Sequence, residues 1–402
     1  MADKFLSVIF TESEIRPNEA QELTQILESG ACDWLHLRHP AASEQQMQAL
    51  LDSIPNQLRS KIRIHSHFSL IDEFGLAGAH LNSRWQEWDG DCSFTRSCHA
   101  SEELSNCGQY AYSTLSPIFP SISKPGYKAD FELASLSDAI SQSHVVALGG
   151  VTPDKTPLLQ ALGFEGAAYL GYAWQGDLLH NLRQIKIMPR FSLQYITNGV
   201  TPAEVAEEVE AVLKGGCKWV QIRMKDASDA TVAEAADKCK PLIDRHHAIL
   251  LLDDHPELAK AVGADGVHLG KNDMPPSEAR AILGPYAIIG STANTLEDIA
   301  NILAHGQSDY IGLGPLRFTS TKKNLSPTLG YDGYARILAQ PVGLPVVAIG
   351  SVGIDDVAPL LSRGASGVAV SGAIRRATSP QTTTARFVSA LSDCALASVK
   401  HN

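Results

Sequence analysis

"FSLQYIT", residues 191 to 197, is followed by "PAEVAEEVEAVLKGG", residues 202 to 216. The first stretch is short, apolar and rich in aromatic and branched residues, and reads as a strand. The second carries Pro near its start and Gly at its end, the marks of a helix. From here the pattern runs on almost without interruption. "KWVQIRMK", "AILLLDD", "GVHLG", "AIIGSTA", "YIGLG", "PVVAIGS" and "GVAVSGAI" read as strands, and each is followed by a helical stretch such as "DATVAEAADKCKPLIDRHH" or "LEDIANILAHG". That makes eight strand–helix units in roughly 210 residues. The strands are near-continuous apolar runs, as expected where both faces are buried. Eight such units predict a (β/α)8 barrel, the TIM-barrel architecture. A doubly wound sheet is the competing fold, but it usually has fewer strands.

Working outward, the first half repeats the scheme with weaker helices. "FLSVIF", "CDWLHLR", "KIRIHSHF", "GAHLN", "SFTRSCHA", "YAYSTLSP", "HVVALGG" and "GAAYLGY" are its candidate strands. Landmarks pair across the halves: Arg38 with Arg223, His80 with His268, Lys124 with Lys322, and Gly149 with Gly350. Their offsets, 185, 188, 198 and 201, drift steadily upward, as two related domains with unequal loops require. The sequence therefore predicts an α/β protein of two tandem (β/α)8 barrels, residues 1–187 and 188–402.

The chain of 402 residues is 44% hydrophobic and 19% charged, ordinary for a globular protein with a full core. Its net charge of −11 argues against nonspecific nucleic-acid binding. The start has no signal-peptide layout, and the apolar runs are far too short to span a membrane. Seven scattered cysteines lack metal-ligand spacing and read as free thiols in a reducing cytoplasm. Whether the chain forms a homo-oligomer is left open.

In such a barrel the functional groups stand at the C-terminal ends of the strands. In "QIRMK", Gln221, Arg223 and Lys225 alternate and so share one strand face, where two cations suit a highly charged anion. Strand three ends in Asp253 and Asp254, and strand four leads to "GKND" with Asp273. Two carboxylates from adjacent strand ends, beside an oxyanion site, suit a magnesium ion. Each Asp alone would more often be a helix cap. The loop "GPLRFTSTKKN" (314–324) supplies Thr319, Thr321 and Lys322. "AIGSV" and "AVSGAI" supply Gly350, Ser351, Ser371 and Gly372, in the usual place for a phosphate on backbone N–H groups. Two anion sites in one mouth are expected, a metal-bound pyrophosphate and a monophosphate.

The run "QIRMK", "LDDHPELA", "GVHLGKND", "DYIGLGPLRFTSTKKN" and "VVAIGSVGIDD" resembles the thiamine-phosphate synthases over residues 188 to about 390. That resemblance implies coupling of a hydroxymethylpyrimidine diphosphate with a hydroxyethylthiazole phosphate, or its carboxylated form, and release of pyrophosphate. It assigns the pyrophosphate to Arg223, Lys225 and Lys322, and Mg2+ to Asp254 and Asp273. Gln221 and His268 would line the pyrimidine pocket, with Thr292 beside the reacting centre. Thr319, Thr321, Gly350, Ser351, Ser371 and Gly372 would surround the thiazole phosphate. Asp253 stands where this family usually has Asn, next to the diphosphate. Ser351 replaces a second Gly, and Lys271 and Asn272 stand for Gln and Glu. Another phosphate-binding barrel, an isomerase or aldolase, would explain the glycines but not the paired carboxylates. A noncatalytic binding scaffold would be expected to lose the metal residues in both halves.

The first half has "SPIFPSISKPG" (116–126) on the same template as the 314–324 loop. It keeps Ser121, Ser123 and Lys124, and Gly149 and Gly150 after strand seven. It has Pro40 for the lysine, and "HSHF" in place of the carboxylates. This half is expected to bind a thiazole phosphate without a diphosphate. It resembles the thiazole tautomerase relatives of the synthases, whose strand-end "RSVH" matches "RSCH" here. The resemblance makes His99 the proton shuttle, a role suited to His near neutrality. A catalytically dead or ligand-binding domain is the alternative. His65 and His67 alternate on one strand, a spacing open to metal ligation but more often incidental, and Cys98 is expected to be buried.

Overall fold

A computed structural model of the chain describes residues 4–83, 90–122, 129, 131–318 and 327–398. The sites expected at Ser123, Lys124, Thr319, Thr321 and Lys322 lie outside the described residues. The chain divides into two compact units, the first running to Pro189 and the second from Arg190 to Ala395. Each holds one closed, all-parallel barrel of eight strands.

In the first barrel the strands are β1 (Leu6–Phe10), β2 (Trp34–Leu37), β3 (Ile62–Ile64), β4 (Gly78–Leu81), β5 (Ser93–Cys98), β6 (Tyr112–Leu115), β7 (Val145–Ala147) and β8 (Gly166–Tyr169). They follow in chain order, and β8 closes on β1 through the pairing of Val8 with Ala168. Glu19–Glu28, Glu44–Asp52 and Leu178–Ile187 are the full helices of this barrel, and others are short. Asn56–Arg59, Leu70–Phe74 and Ser137–Ile140 are single turns, and Ser101–Asn106 is a 3₁₀ segment. Val8, Phe10, Tyr112, Val146 and Ala168 form an apolar plug inside the barrel.

The second barrel comprises β9 (Leu193–Ile196), β10 (Trp219–Ile222), β11 (Ile249–Asp253), β12 (Gly266–Leu269), β13 (Ile288–Ala293), β14 (Tyr310–Leu313), β15 (Val346–Ala348) and β16 (Gly367–Val370). Its longest helices, Pro202–Lys214, Asp229–Arg245 and Pro380–Ala397, exceed any in the first barrel. Thr201 accepts from Glu204 N ahead of helix Pro202–Lys214. Thr295 and Asp298 form a capping box on Leu296–His305. Phe191, Trp219 and Tyr310 stack edge to face inside the barrel, with centroids 5.1 to 5.7 Å apart. The apolar faces of strands and helices meet in a continuous core that includes Val209, Val220, Leu252, Ile289 and Val368.

The alternation expected through "QIRMK" stops early. β10 ends at Ile222, and the chain turns at Lys225 and Asp226, with Asp226 at φ 61°. Lys225 therefore does not share a strand face with Gln221, and its side chain is exposed. No helix among the described residues is long and apolar enough to cross a membrane.

Candidate active site

At the C-terminal end of the second barrel lies a cavity of about 520 Å³. It is lined by Gln221, Arg223, Asp253, His268 and Thr292 from one side, and by Gly350, Ser351, Ser371 and Gly372 from the other. Lys225 is not among the lining residues.

The first group is wired together by hydrogen bonds. The buried Gln194 amide donates to Gln221 Oε1 (3.2 Å) and to Tyr310 OH (3.1 Å). Gln221 Nε2 in turn donates to Asp253 Oδ1, and Asp253 Oδ2 pairs with Arg223 Nε at 3.0 Å. Tyr310 OH already accepts from Gln194, so its own proton points to His268 Nδ1, 2.9 Å away. His268 then carries its proton on Nε2 and donates it to Thr292 Oγ1 at 2.9 Å. Thr292 itself lines the cavity. Asp253, the departure from the synthase pattern, uses both carboxylate oxygens to orient Gln221 and Arg223, which an Asn could not do as an anion.

Asp254 follows β11 with φ 65°, and Asp273 follows β12. Asp273 Oδ2 accepts from Gly270 N at 2.6 Å, which turns the side chain toward Asp254. Asp254 keeps part of its surface open to solvent, yet its carboxyl is crowded. Burial first, and then the neighbouring carboxylates of Asp253 and Asp273, push it up to about 8.

The opposite wall is a glycine turn under a loop. Gly350 has φ 99°, and a Cβ there would lie 2.6 Å from Pro315 Cα and 2.9 Å from Leu316 N. The turn holds the loop directly: Leu316 N donates to Ile349 O (2.8 Å) and Arg317 N to Gly350 O (3.1 Å). Ser351, at φ 54°, donates to Phe318 O at 2.8 Å. Arg317 forms a two-pronged pair with Asp356, at 2.5 and 2.6 Å, and Tyr331 OH donates to the same carboxylate. Burial raises Asp356, but these donors outweigh it and hold the carboxyl down at about 2.

Several lining residues carry no signal in the sequence. Asn198, Asn294 and Arg376 reach the cavity from loops and from the turn after Gly372. The Arg376 guanidinium lies against Gly372, at the phosphate end of the cavity. Lys271 lines the cavity and pairs with Asp298 at 2.7 Å. A glycine followed by Arg four residues later was the available clue for Arg376, and it is a common pattern.

In the first barrel the glycine turn recurs. Gly149 and Gly150 have φ 90° and 63°, and a Cβ on Gly150 would lie 2.2 Å from Pro120 O. Ile118 N donates to Leu148 O and Phe119 N to Gly149 O, the counterparts of the bonds in the second barrel. Ser121 belongs to this loop. His99 follows β5 and is exposed, with Nδ1 3.2 Å from Ser116 O and 3.3 Å from Ser116 Oγ. Cys98 is fully buried beside Cys107. His67, at φ 54°, turns away to Ala42 O. His65 instead meets His36 and His80, a convergence the sequence reading did not foresee. Burial is the largest cause lowering all three imidazoles, His80 to about 3, so they are neutral.

The chain matches the thiamine monophosphate synthase family model twice, over residues 6–171 and 193–374. It is 50% identical over 201 residues to the thiamine-phosphate synthase of Bacteroides fragilis, covering 49% of this chain and 98% of that protein. The thiamine-phosphate synthase of Bacteroides thetaiotaomicron is 49% identical over 201 residues, 49% of this chain and 96% of that one. A solved thiamine phosphate pyrophosphorylase from Pyrococcus furiosus shares 29% identity at a TM-score of 0.46, covering 51% of this chain and 97% of that one. Two family matches, one to each barrel, span most of the sequence: the chain belongs to the thiamine monophosphate synthase family, and carries its domain in duplicate.

Proposed function

We propose that the second barrel is a thiamine-phosphate synthase. It couples a hydroxymethylpyrimidine diphosphate to a hydroxyethylthiazole phosphate, or its carboxylated form, and releases pyrophosphate, together with carbon dioxide when the carboxylated thiazole is used. One observation carries this reading: a single cavity sets the Gln221–Asp253–Arg223 and His268–Thr292 networks opposite the Gly350 and Gly372 turns. Relatives named thiamine-phosphate synthase, 49–50% identical over nearly their whole length, support it.

Asp254 and Asp273 fit Mg2+, because they are hard oxygen donors whose like charges converge. A magnesium ion there would neutralise charge on the leaving diphosphate. The remaining roles fall to the chain. Arg223, fixed by Asp253, faces the diphosphate, and Lys225 and Lys322 add further positive charge to it. Gln221 and His268 hold the pyrimidine, and Thr292 stands beside the exocyclic methylene. The C–O bond of that methylene breaks, and its electron pair leaves with pyrophosphate. The thiazole nitrogen then donates its lone pair to form the C–N bond. Gly350, Ser351, Ser371 and Gly372, with Thr319 and Thr321, hold the thiazole by its phosphate. This is electrostatic stabilisation of departure and needs no protein nucleophile. The full-length chain, given both substrates and Mg2+, is expected to form thiamine phosphate and pyrophosphate in equal amounts, read by chromatography. A folded chain that forms neither, with either thiazole, overturns the reading.

For the first barrel, the position of His99 favours a thiazole tautomerase. Its imidazole is tied to Ser116, at the root of the loop that carries Ser121. A thiazole phosphate held by that loop and by Gly149–Gly150 would present its ring to His99. General acid–base groups contribute roughly 10²–10⁴-fold, so His99→Asn is expected to slow isomerisation by that factor. Coupling by the second barrel should be unchanged. A wild-type chain that gives no acceleration over the uncatalysed rate makes this barrel a binding or structural partner.

A further inference from the structure

The two barrels match in register around one corner. In the second, Leu251 pairs with Gly266, and Asp253 with His268. In the first, Arg63 pairs with Gly78, which sets His65 level with His80. His36, His65 and His80 thus stand where the second barrel has Gln221, Asp253 and His268. The bonding follows the same plan. His36 Nδ1 lies 3.0 Å from His65 Nε2, as Gln221 meets Asp253. His80 Nε2 lies 2.8 Å from Ser97 Oγ, as His268 meets Thr292.

A barrel that had merely lost its pyrimidine site would be expected to fill this corner with apolar side chains. Here the corner is fully buried at His36 and His80 and 7% exposed at His65, and three imidazoles cluster there beneath the Phe10 ring. One ring nitrogen from each residue lies within 4.8 Å of the others. We propose that His36, His65 and His80 form a binding site for a divalent cation of the zinc class.

Zn–N bonds of about 2.0–2.1 Å put tetrahedral ligand nitrogens about 3.4 Å apart, so shifts of about 1 Å close the set on an ion. Outer partners for the rings are present. His36 Nε2 bonds Tyr112 OH, which leaves Nδ1 for the ion, and His80 Nδ1 is 2.8 Å from Thr95 Oγ1. Three imidazoles suit zinc or cobalt better than magnesium, which prefers oxygen. Three protein ligands also leave a fourth position for water or a substrate oxygen.

The site does not depend on the coupling reaction, and its test needs no turnover. The full-length chain is titrated with Co2+ and followed by visible absorption. Binding of about one ion per chain with an intense tetrahedral band is expected, and zinc should displace it. His36→Gln, which installs the residue of the second barrel, and His80→Gln should each abolish the band. Asp273→Ala should leave it intact. A folded wild-type chain that gives no such band overturns the proposal. So does a band that survives both histidine variants, or one dominated by thiolate charge transfer, which would place the ion on cysteine.

Discussion

Asp273→Ala is expected to lower kcat/KM for coupling by roughly three powers of ten, the cost of removing a main electrostatic support from a developing leaving-group charge. The Asp273 carboxylate is held toward Asp254 by the Gly270 N–H. Asp254 is pushed up to about 8 because it lies desolvated among like charges, and losing Asp273 removes one of them. The variant should therefore fold, and thermal denaturation should show no loss of stability. Its demand for Mg2+ should rise while the KM for the thiazole phosphate stays put, because the glycine wall is untouched. A variant with near-normal coupling, or one that loses thiazole affinity instead, would remove Asp273 from the leaving-group site.

The second large effect is expected at the opposite wall. Gly350→Ala places a methyl group 2.5 Å from Pro315 Cβ and 2.6 Å from its Cα, at a φ of 99° that L side chains rarely adopt. The obstacle includes backbone, so the loop must move. Strain of this kind costs roughly 2–3 kcal/mol. In a unit of this size that lowers Tm by roughly 5–10 °C. Displacing the loop also breaks the Arg317 N to Gly350 O bond and shifts the start of the segment that carries Thr319 and Thr321. The KM for the thiazole phosphate is expected to rise by at least about tenfold, since losing one or two charge-assisted hydrogen bonds costs that much. Gly343→Ala supplies the control. It has φ 78° but nothing within 4 Å, so it carries the backbone penalty of about 1–2 kcal/mol without a collision. Equal effects of the two substitutions on Tm and KM would show that the close approach does not shape the site.

Both barrels were legible in the sequence because their signal is local. A strand buried on both faces must be apolar along its whole length, and a helix between two such strands must be marked at its ends. The glycine turns were legible for a related reason. Gly149, Gly150 and Gly350 sit at positive φ against backbone, and only glycine fits there. The duplication could be read from the steady drift of paired landmarks. Asp254 and Asp273 could be read as a pair because they follow adjacent strands, although no short-range rule separates either one alone from a helix cap.

What the chain alone could not state is which side chains meet across strands. Arg223 stays by the cavity while Lys225, two residues on, is exposed, because the chain turns at Asp226 instead of continuing the pleat. Asp253 reads as an extra charge beside a diphosphate, and only the packed barrel shows both of its oxygens occupied by Gln221 and Arg223. Sequence spacing pairs His65 with His67, as alternate residues of one strand, but the strand ends at Ile64 and His67 turns away. In the fold the partners of His65 come from 29 residues before and 15 residues after, on β2 and β4. Burial patterns record whether a strand faces water or core. They do not record which residue of the next strand stands level with it, because that is set by closure of the barrel and the register it imposes.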